Sequence, residues 1–369
     1  MYSQPALHQD YLPPHLTTLM EIDTQAIAEN YKTLCSLAQN SSCAAVVKAN
    51  AYGFGLQEVS SLLQQEGCQD FFVAHLEEAI FLKTTLKNAN IYVLSGLLPE
   101  TAEFFVNNSL IPVLNDFGML EYWAYEAKLR GKKLPCVLHI DTGMHRNGFD
   151  RKDTEKLFSS LEMLTALEPK IFMSHLASSH DPKDPLNEQQ RRLFESLQTQ
   201  LPSMKASLAD TGGIYLGSAF HYDMVRTGKG LFGLYPSDSL RPCLNLRARI
   251  LQIRTALKGE SVGYGATHLL TRESKLATLG IGFVDGYDRR LSNKGYVLIQ
   301  GFKAPIVGRI SMDYTVVDVT DIPESEYYAG SWVELVNDTL SLDMLAHEIG
   351  TISRELSTRL GNRITRLYR

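Results

Sequence analysis

The chain has 369 residues, enough for two domains that each bury a core. Its 44% hydrophobic and 21% charged residues suit a globular protein, and 36 basic against 41 acidic residues give a net charge of −5, without the basic surplus of a duplex-binding protein. No apolar run approaches the roughly 18 residues of a membrane span, and five scattered cysteines without a CxxC pair argue against a disulfide framework or a zinc site and for a reducing, cytoplasmic compartment.

Residues 1–16 read as an irregular leader and lack the basic-then-apolar layout of a secretory signal. Residues 17–23 can add a strand to either domain. Eight short apolar runs follow, at 43–48, 71–74, 91–94, 111–114, 136–140, 171–174, 205–209 and near 224–226. Their Val, Ile and Phe content suits buried parallel strands. Helix-like segments at 56–65, 76–86, 99–107, 117–129, 152–164 and 186–200 lie between them. This alternation predicts an α/β fold with an N-terminal (β/α)8 TIM-type barrel over residues 24–243. A doubly wound open sheet competes, but it usually has fewer strands in a row. From about residue 241 the pattern changes. Strands are expected at 244–254, 275–281, 296–300, 305–310, 315–319 and 332–335, with helix only over 342–360. A C-terminal, mostly-β domain is therefore expected over 244–369.

Active sites of such barrels lie at the C-terminal ends of the strands. Those ends carry Lys48, His75, Ser95, Asn115, Asp141 with Arg146, His175, Asp210 with Thr211, and Arg226. These polar and titratable groups emerge from apolar runs and would converge on one face. A barrel-mouth lysine that is partly desolvated loses its proton more easily and becomes a nucleophile toward carbonyls. Taken alone, Lys48 reads rather as a lysine whose stem packs on the core while its ammonium reaches water.

The stretch AVVKANAYGFG, residues 45–55, resembles the lysine motif of the alanine racemase family, fold-type III enzymes that use pyridoxal phosphate. Further matching stretches follow in the family's order: HIDTGMHRNGF at 139–149, MSHLASSHDP at 173–182, SLADTGGIYLG at 207–217, DMVRTG at 223–228, GESVGYGATH at 259–268, IGFVDGYDRRLSN at 281–293, GRISMDYTVVDVT at 308–320 and NRITRLY at 362–368. The resemblance implies the same barrel-plus-β architecture and assigns the 17–23 strand to the β domain.

It also implies roles. Lys48 would be the Schiff-base lysine for pyridoxal phosphate and one of two catalytic bases. Tyr264 would be the other, supplied by the partner subunit of a homodimer with shared active sites. A phenol needs help to act as a base near neutral pH. His175 would lie near that tyrosine and the cofactor. Arg226 would contact the ring nitrogen, and because a guanidinium only donates, it would keep that nitrogen unprotonated and disfavour side reactions. Tyr52, Thr211, Gly212 and Gly228 would hold the phosphate. Arg146, Met312 and Asp313 would adjoin the amino-acid substrate. No metal is implied. Outside the motifs, Tyr264, Arg226 and Arg146 would read as a hydrogen-bonded strand tyrosine, a rim ion-pair residue and a solvated loop residue.

Six positions depart from the pattern. His139 stands where many members have a lysine that becomes carbamylated and orients the arginine corresponding to Arg146. That arginine must then be held by a bound anion, another side chain or His139 itself. Phe283 replaces an entryway tyrosine, Asn362 a phosphate-contacting tyrosine, Thr227 a proline and Phe54 a histidine. Asp210 replaces an asparagine, and a carboxylate beside a phosphate is expected to turn away or pair with a cation. The implied function is interconversion of L- and D-alanine, with the product feeding cell-wall synthesis. The alternatives are a broad-specificity amino-acid racemase, a fold-type III decarboxylase and a non-catalytic carrier of the cofactor.

Overall fold

The computed structural model describes residues 13–201 and 203–369, so residues 1–12 of the expected leader lie outside it. The chain forms two compact units. One comprises Ala28–Leu240, the other the residues up to Ile27 together with Arg241–Arg369.

The first unit is the barrel. Its strands are Ser42–Val46, Asp70–Val73, Asn90–Val93, Ile111–Leu114, Leu134–His139, Leu167–Met173, Lys205–Ser207 and Met224–Thr227. The first seven pair in parallel in sequence order, and the eighth pairs with the first, with Ala44 opposite Arg226. Between the seventh and eighth strands there is no ladder, and individual hydrogen bonds cross the seam. The Arg226 N–H donates to Ala209 O at 2.9 Å, and the Ser207 hydroxyl donates to Met224 O at 2.7 Å. Ala44, Phe72, Tyr92, Val113, Val137 and Met173 fill the interior. Phe72 and Tyr92 stack with centroids 4.4 Å apart. This packed interior seals the barrel's centre and leaves the strand ends to carry chemistry.

Helices Leu56–Gln65 and Phe117–Leu129 occupy the expected residues. Leu56, Val59 and Leu63 recur at helical spacing and are buried, and Asp116 caps the second helix by accepting from Met119 N. The segment expected as one helix over 152–164 is instead a helix, Arg151–Ser159, followed by a separate tight turn, Leu161–Ala166. Sequence reading missed the 15-residue helix Thr24–Ala38. Its signals were present: Asp23 accepts from Ala26 N at 2.8 Å, and Ile27, Tyr31, Leu34 and Ala38 share a buried stripe.

The second unit is built on the long strand Leu244–Ala256. A register shift between Ile250 and Gln252 divides its pairing. The first part pairs with Thr18–Ile22 and Trp332–Val336, and the second with Ser274–Leu279. Thr18–Ile22 also pairs in parallel with Thr365–Tyr368. The strand expected at 305–310 lies earlier, at Phe302–Pro305. Pro305 lacks an N–H and Gly308 takes φ 76°, so a regular ladder does not continue past them. The expected helix over 342–360 is two helices, Leu342–Glu348 and Ser353–Arg359, parted by Gly350 at φ 69°.

Candidate active site

Lys48 follows the first barrel strand. The next four residues, Ala49, Asn50, Ala51 and Tyr52, all have φ between 51° and 56°, a left-handed turn made without glycine. Such a conformation costs about 1–2 kcal/mol per residue. Neighbours hold it in place. Ala49 N–H donates to Glu78 Oε1 at 2.6 Å, and Glu78 Oε2 accepts from Ala74 N at 2.8 Å and His75 N at 3.2 Å. Asn50 Oδ1 accepts from Leu56 N at 2.8 Å. Glu78 thus ties the turn after Lys48 to the end of the next strand.

The turn carries Tyr52 to Gly228. A Cβ on Gly228 would meet Tyr52 Oη at 2.4 Å, so only glycine leaves room. Thr211 Oγ1 accepts from Gly230 N at 3.2 Å and lies 3.0 Å from Thr227 Oγ1. Thr227, in place of the family's proline, thereby joins the hydroxyl cluster. A Cβ on Gly212 would meet Ser179 O at 2.5 Å. Phe54 is buried and stacks on Phe232 at 4.5 Å. Asp210 Oδ1 accepts from Gly213 N at 2.9 Å, capping the short helix Thr211–Tyr215. Burial alone would raise the Asp210 carboxyl. Its coupling to His175, the charge of Lys229, the Gly213 N–H and the Ser179 hydroxyl together hold it below its ordinary value. The aspartate is therefore spent on a cap and on its basic neighbours.

Arg226 is 4% exposed. Its Nη1 donates to Ser207 Oγ and its Nη2 to Ser174 O, each at 2.5 Å. Burial lowers its guanidinium to about 10 against the pull of Asp210, and it remains charged at neutral pH. His175 is held down to about 4, chiefly by desolvation. Asp210 opposes that shift, while Arg226, Arg146 and Lys48 add to it. One imidazole thus feels Lys48, Arg146, Arg226 and Asp210 together. Gln190 fixes the segment from behind: its Nε2 donates to His175 O at 2.9 Å and its Oε1 accepts from Ala177 N at 2.8 Å.

Tyr264, Met312 and Asp313 belong to the β unit. Tyr264 is 71% exposed, on a turn between Gly263 at φ 73° and Gly265 at φ 74°. A Cβ on Gly263 would lie 3.1 Å from Arg309 N, so the turn rests on the segment leading to Met312. Met312 is exposed and its carbonyl accepts from Val284 N at 3.1 Å. Asp313 Oδ1 accepts from Arg363 Nη1 at 2.7 Å, and Arg363 also pairs with the buried Asp285 at 2.9 Å.

The N-terminal domain family of alanine racemases matches residues 22–236, and the C-terminal domain family matches residues 243–368. The chain belongs to the alanine racemase family. An alanine racemase of Rhodospirillum rubrum is 41% identical over 359 residues, covering 95% of this chain and 96% of that one. The alanine racemase of Bartonella henselae, solved with covalently bound pyridoxal phosphate, superposes with a TM-score of 0.92 at 40% identity, covering 96% of this chain and 99% of that one. The biosynthetic alanine racemase of Pseudomonas aeruginosa gives a TM-score of 0.86 at 33% identity, covering 96% and 99%.

The barrel mouth fits the family's cofactor. Gly228 and Gly212 sit where a Cβ would collide, beside the hydroxyls of Tyr52, Thr211 and Ser179, a donor set suited to a phosphate. A buried, donor-only guanidinium at Arg226 suits an unprotonated ring nitrogen. Sequence reading overlooked Glu78, Gln190, Ser174 and Ser207. Their partners lie far along the chain, and only their polarity within apolar surroundings could have marked them.

Proposed function

We propose that the chain interconverts L- and D-alanine with pyridoxal phosphate held on Lys48. The observation that carries this reading is the cradle at the barrel mouth, where Gly228 faces Tyr52 Oη, Gly212 faces Ser179, and Thr211 Oγ1 accepts from Gly230 N, with no room for a Cβ on either glycine. When bound, the cofactor withdraws electrons from the amino acid's α-carbon and makes its C–H acidic. Lys48 removes or returns that proton on one face. Tyr264 of the partner subunit does so on the other, in a homodimer with shared sites. Tyr52, Thr211, Gly212 and Gly228 bind the phosphate, with Thr211 oriented by Thr227 and the Gly230 N–H. Arg226, locked by Ser174 and Ser207, donates to the ring nitrogen and supplies no proton to it. His175 stays neutral beside these cations and can exchange hydrogen bonds without adding charge. Arg146 receives the substrate carboxylate, and Met312 and Asp313 limit the space for its side chain. The D-alanine formed serves cell-wall precursors.

Borohydride reduction of the coloured holoenzyme followed by peptide mapping should place the pyridoxyl group on Lys48. Loss of optical rotation from L-alanine should accompany exchange of its α-proton. An adduct elsewhere would remove the mechanism. Carbon dioxide release would assign a decarboxylase, and a coloured protein without α-proton exchange would assign a carrier.

A further inference from the structure

Lys48 and Tyr52 stand at the two ends of one left-handed turn, in which Ala49, Asn50, Ala51 and Tyr52 all hold φ between 51° and 56°. Four such residues in a row, none of them glycine, keep this conformation only where their surroundings determine it. On the far side of the turn, Gly53 N–H donates to Ala49 O and Gly55 N–H to Asn50 O, each at 3.0 Å. On the Lys48 side, Ala49 N–H donates to Glu78 Oε1 at 2.6 Å.

Glu78 is the third residue of the helix Leu76–Thr85. A glutamate there commonly reaches back to the N-cap N–H with one oxygen. Oε2 does this, accepting from His75 N at 3.2 Å and from Ala74 N at 2.8 Å. The cap therefore needs only one oxygen of the carboxylate. Oε1 leaves its own helix and holds the residue that follows Lys48. A carboxylate can serve both places because both of its oxygens accept, whereas an amide would turn an N–H toward one of these N–H groups.

We propose that Glu78 is a positioning residue for the cofactor: through Oε1 it keeps Ala49 in the left-handed region and so sets the distance and direction from Lys48 to Tyr52. The inference rests on the reading of Lys48 and Tyr52 as cofactor ligands, and is independent of which amino acid is turned over. Tyr52 Oη faces Gly228 so closely that a Cβ would lie 2.4 Å away. An Ala49 relaxed to negative φ would redirect the chain beyond it and draw Tyr52 off that glycine. The lysine amine and the phosphate-binding hydroxyl thus take their places together or not at all.

The test reads the dissociation constant of the holoenzyme for pyridoxal phosphate, from visible absorbance and with no amino acid present. In Glu78→Gln the constant should rise about tenfold, as for one lost charge-assisted hydrogen bond. Adding Ala49→Gly to that variant should recover about fivefold, because glycine holds positive φ without a brace. A glutamate that only capped its helix would give no recovery, since Ala49 takes no part in the cap. An unchanged constant in folded Glu78→Gln, or a loss that Ala49→Gly does not relieve, would overturn the proposal. If Glu78→Gln fails to fold, Ala49→Val decides with Glu78 intact: its branched side chain opposes positive φ, so the constant should rise, and wild-type affinity in that folded variant would also overturn the proposal. Reduced wild-type holoenzyme with no pyridoxyl group on Lys48 would defeat the underlying cofactor reading instead.

Discussion

The guanidinium of Arg226 donates to the main-chain carbonyl of Ser174 at 2.5 Å, linking the last barrel strand to the segment that carries His175. Leu208 O lies 3.4 Å from the same Nη2. Arg226→Leu removes the donor for both carbonyls and for the Ser207 hydroxyl inside the barrel. Unpaired buried polar groups cost about 1–3 kcal/mol each, so a loss of roughly 2–4 kcal/mol is expected from urea unfolding. An unchanged unfolding midpoint would show that the guanidinium is not what satisfies these groups.

Gly228→Ala should loosen the cofactor. The new Cβ meets Tyr52 Oη at 2.4 Å and Cζ at 3.0 Å, so the tyrosine must swing away. Overpacking of this kind costs about 1–3 kcal/mol. The variant is expected to lose pyridoxal phosphate on dialysis under conditions where the wild type retains it, as read from the visible absorbance. Full retention would argue against the Tyr52–Gly228 pair as part of the phosphate cradle.

Tyr264→Phe separates fold from function. The side chain is 71% exposed, so its hydroxyl should matter little to stability, within about 0.5 kcal/mol. Removal of the α-proton from L-alanine should slow far more than removal from D-alanine in single-turnover measurements. Equal slowing in both directions would contradict the assignment of Tyr264 to one face.

Acid should weaken the barrel before most carboxylates titrate. His175 is held down to about 4 and His139 to about 3, both mainly by desolvation. In the unfolded chain such rings take up a proton near pH 6.5. Between roughly 6.5 and 4 the unfolded state therefore binds more protons, and stability must fall as pH falls. Urea midpoints measured across this window should decline, and His175→Gln should flatten the decline. A slope unaffected by that substitution would mean the ring titrates normally in the folded protein.

Ala49→Gly should stabilise the protein, the reverse of its usual effect. Ala49 is exposed at φ 55°, so glycine relieves about 1 kcal/mol of left-handed strain and removes no buried contact. Ala49→Val should act in the opposite direction. A melting temperature lowered by glycine would show that the turn carries no strain.

Lys48 and Arg226 stood out as candidates only through the family motifs around them, because a charged residue at a strand end more often packs its stem or joins a rim ion pair. The helices 56–65 and 117–129 were legible from spacing and from the turn residues around them. The left-handed turn at Ala49–Tyr52 was not, because alanine at positive φ has no compositional signature. Glu78 and Gln190 were also invisible, since their partners are mostly main-chain groups that only the folded barrel brings near. The strand at Phe302–Pro305 was displaced to 305–310 because the apolar run of Ile306 and Val307 outweighs the break at Gly308. His139 was visible as a departure, but its pairing with Asn115 depends on two strand ends meeting across the mouth.

The pairing of Ala44 with Arg226 joins the barrel's first strand to its last. Chain emerging from a ribosome cannot make this contact until nearly the whole barrel has been synthesised. Loop closure on that scale is slow relative to local helix formation. The strands that lead to the lysine and carry the arginine thus pair only after the last strand has been made. Capture of the vitamin-derived coenzyme should therefore report barrel completion, and nascent fragments that stop short of the final strand should remain colourless.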